Sequence, residues 1–453
     1  MNVVKNAIER GALDWIPAPE DLARARDRFR VLMARRARRP LWLLLLLAGP
    51  GILVMLGEND GPSMLSYATT GATYGIGFFV PFILLTFLMA FVVQEATVRI
   101  GIATHRGHAE LIDQRFGKLW GTFALVDLLV SNLLTLVTEF IAIRGGAAYF
   151  GIPGWAAAVG GIVLVVAVLT SGRYFTWERS VMLLAAANLL FVPAALFAHP
   201  DGSALVRALA TWGPIPSGAG VAFLTLVLAN VGATVTPWMI FFQQSAVVDK
   251  GLTKADLPQG RLDTALGAAI AAVVAVAAVV ATAPLFAHHV NASSFSGGTD
   301  FASALRPYLG STGATLFALG MLEAGLVAAM TISTSSSYAT GEVLGTAHTL
   351  NRPLSKGGTF YVSSLLSVVL AAAVVLIPQA PLIPITLTVN VLATLLMAPA
   401  LLFVLLLAND KEIMGDLANR RGANLAGGAV IIGISVLGAL YGIVTAFPQL
   451  LHG

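Results

Sequence analysis

Charge is what this sequence has least of. Its 453 residues include 27 Lys+Arg and 23 Asp+Glu, so 11% are charged and 57% hydrophobic, against roughly 25% charged in an ordinary soluble domain. A soluble surface cannot be built from so few charges. A soluble enzyme, a nucleic-acid binder and a disordered chain are excluded, whatever the net charge of +4. Cysteine is absent, which removes disulfide frameworks and thiolate metal sites. Enzyme signatures are missing too: there is no His-Glu-x-x-His pair, no Gly-x-Ser-x-Gly elbow and no phosphate-binding loop. The chain reads as an all-α polytopic membrane protein with no cofactor and no catalytic residues.

What is abundant is apolar sequence in long runs. A membrane span needs about 20 mostly apolar residues, and eleven segments qualify: 40–73 (interrupted), 77–100, 119–148, 153–171, 178–198, 217–250 (interrupted), 262–287, 312–345, 359–378, 382–408 and 425–446. The first forty residues are not a signal peptide, because the apolar run after them continues through a full span. The basic stretch Arg24–Arg39 reads as an orientation signal lying against anionic headgroups. With the N-terminus inside, 24 of the 27 Lys/Arg fall on cytoplasmic segments, leaving Arg144, Arg207 and Arg306 outside. By the positive-inside rule the N-terminus is cytoplasmic and the C-terminus outside.

Two spans contain helix breaks. In the first, apolar sequence runs into Gly57-Glu58-Asn59-Asp60-Gly61-Pro62-Ser63; in the sixth, Gly232-Ala233-Thr234-Val235-Thr236-Pro237-Trp238 interrupts the run. Proline removes a backbone donor and clashes with the preceding turn. Unwound backbone at membrane depth is tolerated only where it is buried in protein or lines a wet cavity, and a carboxylate there is a site by default. Two breaks five spans apart predict two five-helix inverted repeats meeting at a central site. The expected organisation is a basic segment over 1–39, repeats over 40–198 and 199–408, and an eleventh helix with the C-terminus over 409–453.

These breaks, with Gly49-Pro50-Gly51, Gly232-Ala233-Thr234-Val235 and the stretch from Asn409-Asp410-Lys411 to Met414-Gly415, resemble the NRAMP divalent-metal transporters over about residues 40–446. The resemblance implies a LeuT-type 5+5 fold plus an eleventh transmembrane helix, with helices 1 and 6 broken at mid-membrane. In that family the first break reads Asp-Pro-Gly-Asn and the second Met-Pro-His; Asp, Asn and Met side chains and an Ala carbonyl bind the metal. Carried over, Asp60 keeps the Asp, Ser63 stands for the Asn, Ala233 keeps the carbonyl, Thr236 replaces the Met and Trp238 the His. Glu58, Asn59, Trp238 and Asn390 are further candidates to line the site, Asn390 lying near the position of a family Gln. Asn59 could equally cap a half-helix, and Thr236 could simply pack.

The departures change the expected chemistry. Thioether favours transition metals, whereas hydroxyl and carboxylate oxygens suit hard ions, and Mg²⁺ usually retains waters around one or two carboxylates. Similar losses are seen in the NRAMP-related magnesium transporters. The expected substrate is Mg²⁺, with Mn²⁺ also carried. Family members that cotransport protons have the Met-Pro-His histidine, acids three apart in span three and paired arginines in span nine; here Glu139 follows Thr138, Ala142 stands where the second acid would be, and span nine has no arginine. All seven histidines (His105, His108, His199, His288, His289, His348 and His452) fall in loops or at span ends, leaving none within a span to titrate near neutrality. Transport without tight proton coupling is expected, with Glu95, Asp127 and Glu139 as candidates for an exit path or residual proton transfer. Proton-coupled Mn²⁺/Fe²⁺ transport is the alternative; organic-solute transport on the same fold, with an ammonium group on Asp60 and cation–π contact from Trp238, is a third.

Overall fold

The computed structural model describes residues 22–37, 46–216, 220–292, 295, 297–346, 348–352, 354, 357–377 and 382–446. The basic stretch beyond Ala37, the start of the first expected span, the C-terminal tail and His452 lie outside them. The helices are α1 (Leu22–Arg36), α2 (Pro50–Glu58), α3 (Gly61–Tyr74), α4 (Phe79–Thr104), α5 (His108–Phe116), α6 (Lys118–Tyr149), α7 (Gly154–Leu169), α8 (Tyr174–Ala185), α9 (Phe191–Phe197), α10 (Gly202–Thr211), α11 (Val221–Gly232), α12 (Pro237–Lys250), α13 (Leu257–Ala287), α14 (Gly298–Leu344), α15 (Gly358–Val375), α16 (Leu382–Asn409), α17 (Lys411–Met414) and α18 (Arg421–Ala446). No strand occurs among the described residues.

Nine helical stretches among the described residues are long and apolar enough to cross a membrane. The shorter α7 and the broken α2–α3 pair supply counterparts for the remaining expected passages. The differences from expectation are local. Span five runs through α8 and α9 with a 3₁₀ segment, Ala186–Leu190, between them. The helix of span eight begins at Gly298, well before residue 312, and carries a kink at Gly310 with φ 69°. The short helices α5 and α10, between the expected spans, were not anticipated.

Both breaks form where the sequence places them. α2 starts with Pro50 at its first turn and ends at Glu58; Asp60 then caps α3, its Oδ1 accepting from the Ser63 amide at 2.8 Å, with Pro62 in the first turn. This is the usual N-cap arrangement, in which a side-chain oxygen satisfies an amide that has no intrahelical partner. α11 ends at Gly232, and α12 restarts at Pro237 after Thr236, closing on Gly251 in the left-handed region. α14 packs along α6, and α13 supports α2, α3 and α4, so the two broken helices sit inside a scaffold of continuous ones.

Candidate ion site

The four segment ends of the broken helices converge. Glu58, Asn59, Asp60, Ser63, Ala233, Thr236 and Trp238 are all within 2% of full burial. Thr236 donates its hydroxyl to Glu58 Oε2 at 2.8 Å, tying the start of α12 to the end of α2. The Trp238 indole N–H is directed at the same carboxyl without closing a hydrogen bond, and its ring lies beside Gly57. Tyr67, one turn beyond Ser63 on α3, donates to the Ala233 carbonyl at 2.8 Å. A carbonyl oxygen has two lone pairs, so one remains for another partner. The Ser63 hydroxyl and Glu58 Oε1 have no partner among the described residues.

Glu139 stands closer to this centre than its sequence position suggested. Its Oε2 accepts from the Gly61 amide at 2.9 Å, and its carboxyl faces that of Asp60 without closing a hydrogen bond, Oε1 being left without a partner among the described residues. Two carboxyl groups so close need a proton or a cation between them. Ala142 lies on the same face: a Cβ built on Gly61 would stand 2.2 Å from the Ala142 Cβ. The first break is therefore pressed directly onto α6, and only glycine fits there.

Asn59 binds elsewhere, donating from Nδ2 to the Ala271 carbonyl at 2.9 Å while its Oδ1 is left without a donor. Asn390 donates to the Ser66 hydroxyl at 2.9 Å and not to Asp60. Glu95 is remote from the break, paired with Arg99 at 3.1 Å and Arg261 at 2.7 Å. Asp127 is half-buried on α6. Among the described residues no three His, Cys, Asp or Glu side chains are grouped to hold a metal ion, so an ion at Asp60 would rely on hydroxyl, carbonyl and water oxygens as well.

Sequence reading missed Tyr67, Ser66 and Thr70. Their signal was present: Asp60, Ser63, Ser66, Tyr67 and Thr70 recur at helical spacing, a polar stripe along one side of α3. Asn230 of α11 donates to the Thr70 hydroxyl at 2.8 Å at the far end of that stripe.

The sequence matches the Nramp family profile (natural resistance-associated macrophage protein-like) over residues 51–444. The chain belongs to the Nramp family. A relative named divalent metal cation transporter MntH, from Yersinia pestis (strain Pestoides F), is 27% identical over 413 residues, covering 87% of this chain and 94% of that one. The protein of the same name from Pectobacterium carotovorum is 28% identical over 302 residues, 62% of this chain and 68% of its own. The manganese transporter of Eremococcus coleocola, solved with an aromatic bis-isothiourea compound, superposes with a TM-score of 0.70 at 18% identity, covering 89% and 87% of the two chains. MhsT in complex with L-phenylalanine gives 0.58 at 14% identity, covering 87% and 97%. The fold of this Nramp protein is thus the LeuT type, with an eleventh helix, α18, following the ten of the repeats.

Proposed function

We propose that this Nramp protein is a divalent-cation transporter that prefers Mg²⁺ and also carries Mn²⁺, by alternating access around Asp60 and without tight proton coupling. The observation that carries the reading is the donor set at the two breaks. Asp60, the Ser63 and Thr236 hydroxyls and the Ala233 carbonyl supply only oxygen, and the second break carries Thr236 and Trp238 in place of the thioether and imidazole of the Met-Pro-His pattern. Such a set suits a hard ion that keeps several waters. Glu58, Trp238 and Asn390 line the volume around it. The membrane potential is a sufficient driving force: two charges crossing about 100 mV are worth about 4.6 kcal/mol. The proposed placement is the plasma membrane with a cytoplasmic N-terminus and an outer C-terminus, the repeats spanning 40–198 and 199–408.

A second reading, proton-coupled Mn²⁺ transport, draws on the names of the MntH and manganese-transporter relatives and on Glu139 beside Asp60, where a proton could be held. Uptake of Mg²⁺, Mn²⁺ and Ca²⁺ into proteoliposomes, with internal pH followed in parallel, separates the two. Mg²⁺ entry without acidification is expected; Mn²⁺ entry with acidification and no Mg²⁺ entry would reverse the assignment. Asp60→Ala should abolish uptake of every ion, and Thr236→Met should add Cd²⁺ binding by restoring a soft ligand.

A further inference from the structure

Away from Asp60, one buried acid has no role in the site just described. Glu323 of α14 is 7% exposed, and its Oε1 accepts from Asn188 Nδ2 at 3.3 Å. The same Nδ2 lies 3.5 Å from the Leu56 carbonyl, in the last turn of α2. Both neighbours of that nitrogen are acceptors, which fixes the orientation of the amide. Two oxygens are then left over: Glu323 Oε2 and Asn188 Oδ1 are buried without a partner among the described residues. A cluster with acceptors in excess and no donor to match them is built to receive a positive charge.

Asn188 belongs to the 3₁₀ segment Ala186–Leu190 that interrupts span five. Short 3₁₀ stretches inside long helices often mark hinges. Leu56 is among the last four carbonyls of α2, which lack intrahelical partners and carry the negative end of the helix dipole. A charged Glu323 would repel that helix end, and a neutral one would not.

We propose that Glu323 is a proton-binding site distinct from the Asp60 site, and that Asn188 transmits its occupancy to α2. The carboxylate takes a proton from water; its charge is cancelled, and α2 stays seated as in this structure. Loss of the proton leaves an uncompensated charge against the end of α2 and favours its departure. The charged groups on the elements packed against α14 are directed elsewhere: Glu58 to Thr236, Asp60 to the Ser63 amide, Glu139 to the Gly61 amide, Glu178 to Lys250, Asp249 to the Leu350 amide, Asp263 to the Gly51 amide and Arg144 to the Val375 carbonyl, while Asp127 lies twelve residues before Glu139 on α6. Among the described residues, Asn188 is the hydrogen-bond partner of the Glu323 carboxyl, whose second oxygen has none. A proton suits two free oxygens better than a metal ion, which requires a fuller oxygen shell.

The absence of cysteine allows a clean reporter, Val54→Cys on α2, labelled with maleimide in lipid nanodiscs without added metal. The ratio of its labelling rate to that in the Glu323→Gln background cancels thiol ionisation. That ratio should rise by about tenfold from acid to alkaline pH, equivalent to about 1.4 kcal/mol of coupling. A ratio flat with pH would overturn the proposal, as would a ratio that follows Na⁺ instead. Infrared difference spectra give an independent readout: a protonated-carboxyl band that disappears in Glu323→Gln is expected, and its presence unchanged in that variant would refute the site. Should Glu323→Gln fail to fold, Asn188→Leu must retain the band while losing the pH-dependent labelling; retention of both would exclude the relay. None of these measurements depends on which metal the protein carries.

Discussion

His108 stands between α4 and α6, fully buried, with its ring edge-on to Phe241 at 4.8 Å between centroids. Gln244 donates from Nε2 to the Arg106 carbonyl, so its Oε1 faces the imidazole and accepts from Nδ1–H at 3.0 Å. Burial, only partly offset by that hydrogen bond, holds the imidazole down at about 4 against its ordinary 6.5. The folded protein therefore keeps His108 neutral where the unfolded chain would protonate it. The contribution to stability is complete above about pH 6.5 and lost as pH falls toward 4, a span worth about 3 kcal/mol. Thermal unfolding of wild type and His108→Leu from neutral pH to pH 4 checks this: the wild type should lose stability more steeply with acid, and parallel curves would contradict it. The sequence places this histidine between the second and third expected spans, but does not show that α5 forms there and folds inward against α12.

At the scale of elements, the breaks were readable because Pro62 and Pro237 act locally. Their consequences were not. The bonds Thr236–Glu58 and Tyr67–Ala233 join residues 178 and 166 positions apart, and no local pattern announces such pairs. The 3₁₀ segment Ala-Ala-Asn-Leu-Leu contains neither glycine nor proline, so periodicity runs through it unbroken. α1 shows the same limit. Its basic composition suggested contact with headgroups, yet Arg28 and Arg35 reach the wholly buried Asp256, Arg28 at 3.0 Å. Asp256 also accepts from the Thr253 amide and hydroxyl, and Val31 and Ala34 pack with Leu47, Val98 and Val247. α1 thus lies as a strap across the ends of α4, α12 and α13. Asp256→Asn removes the charge that holds both arginines; hydrogen bonds to charged groups are worth about 1.5–3 kcal/mol. Labelling of a Val31→Cys reporter should accelerate about tenfold in that variant, and an unchanged rate would show that apolar packing alone seats the strap.

Across the whole molecule, the proposed alternating access would require the half-helix α2 to be released at one end while the scaffold holds. Its N-terminal end is secured in this structure by charge. Asp263 accepts from the Gly49, Gly51 and Ile52 amides at 3.0, 2.7 and 3.4 Å. Lys250, at the end of α12, binds both oxygens of Glu178 at 2.9 Å and the Ala48 carbonyl at 2.8 Å. The pair is almost wholly buried, and Gly49, with φ 157°, passes so close that a Cβ would stand 2.1 Å from Glu178 Oε1. A buried ion pair is a poor source of net stability compared with apolar packing, but breaking one side of it leaves a charge that costs about 3–5 kcal/mol. This suits a closure that must hold firmly and still open. Glu178→Ala should therefore expose α2, raising the labelling rate of Val54→Cys, because the stranded Lys250 gains water only when α2 leaves. Replacing both partners, as Glu178→Leu with Lys250→Met, should bring the rate back toward wild type, since no unpaired charge remains. If the double variant labels as fast as Glu178→Ala, the pair holds α2 by its own attraction. If neither variant differs from wild type, Asp263 alone retains the helix.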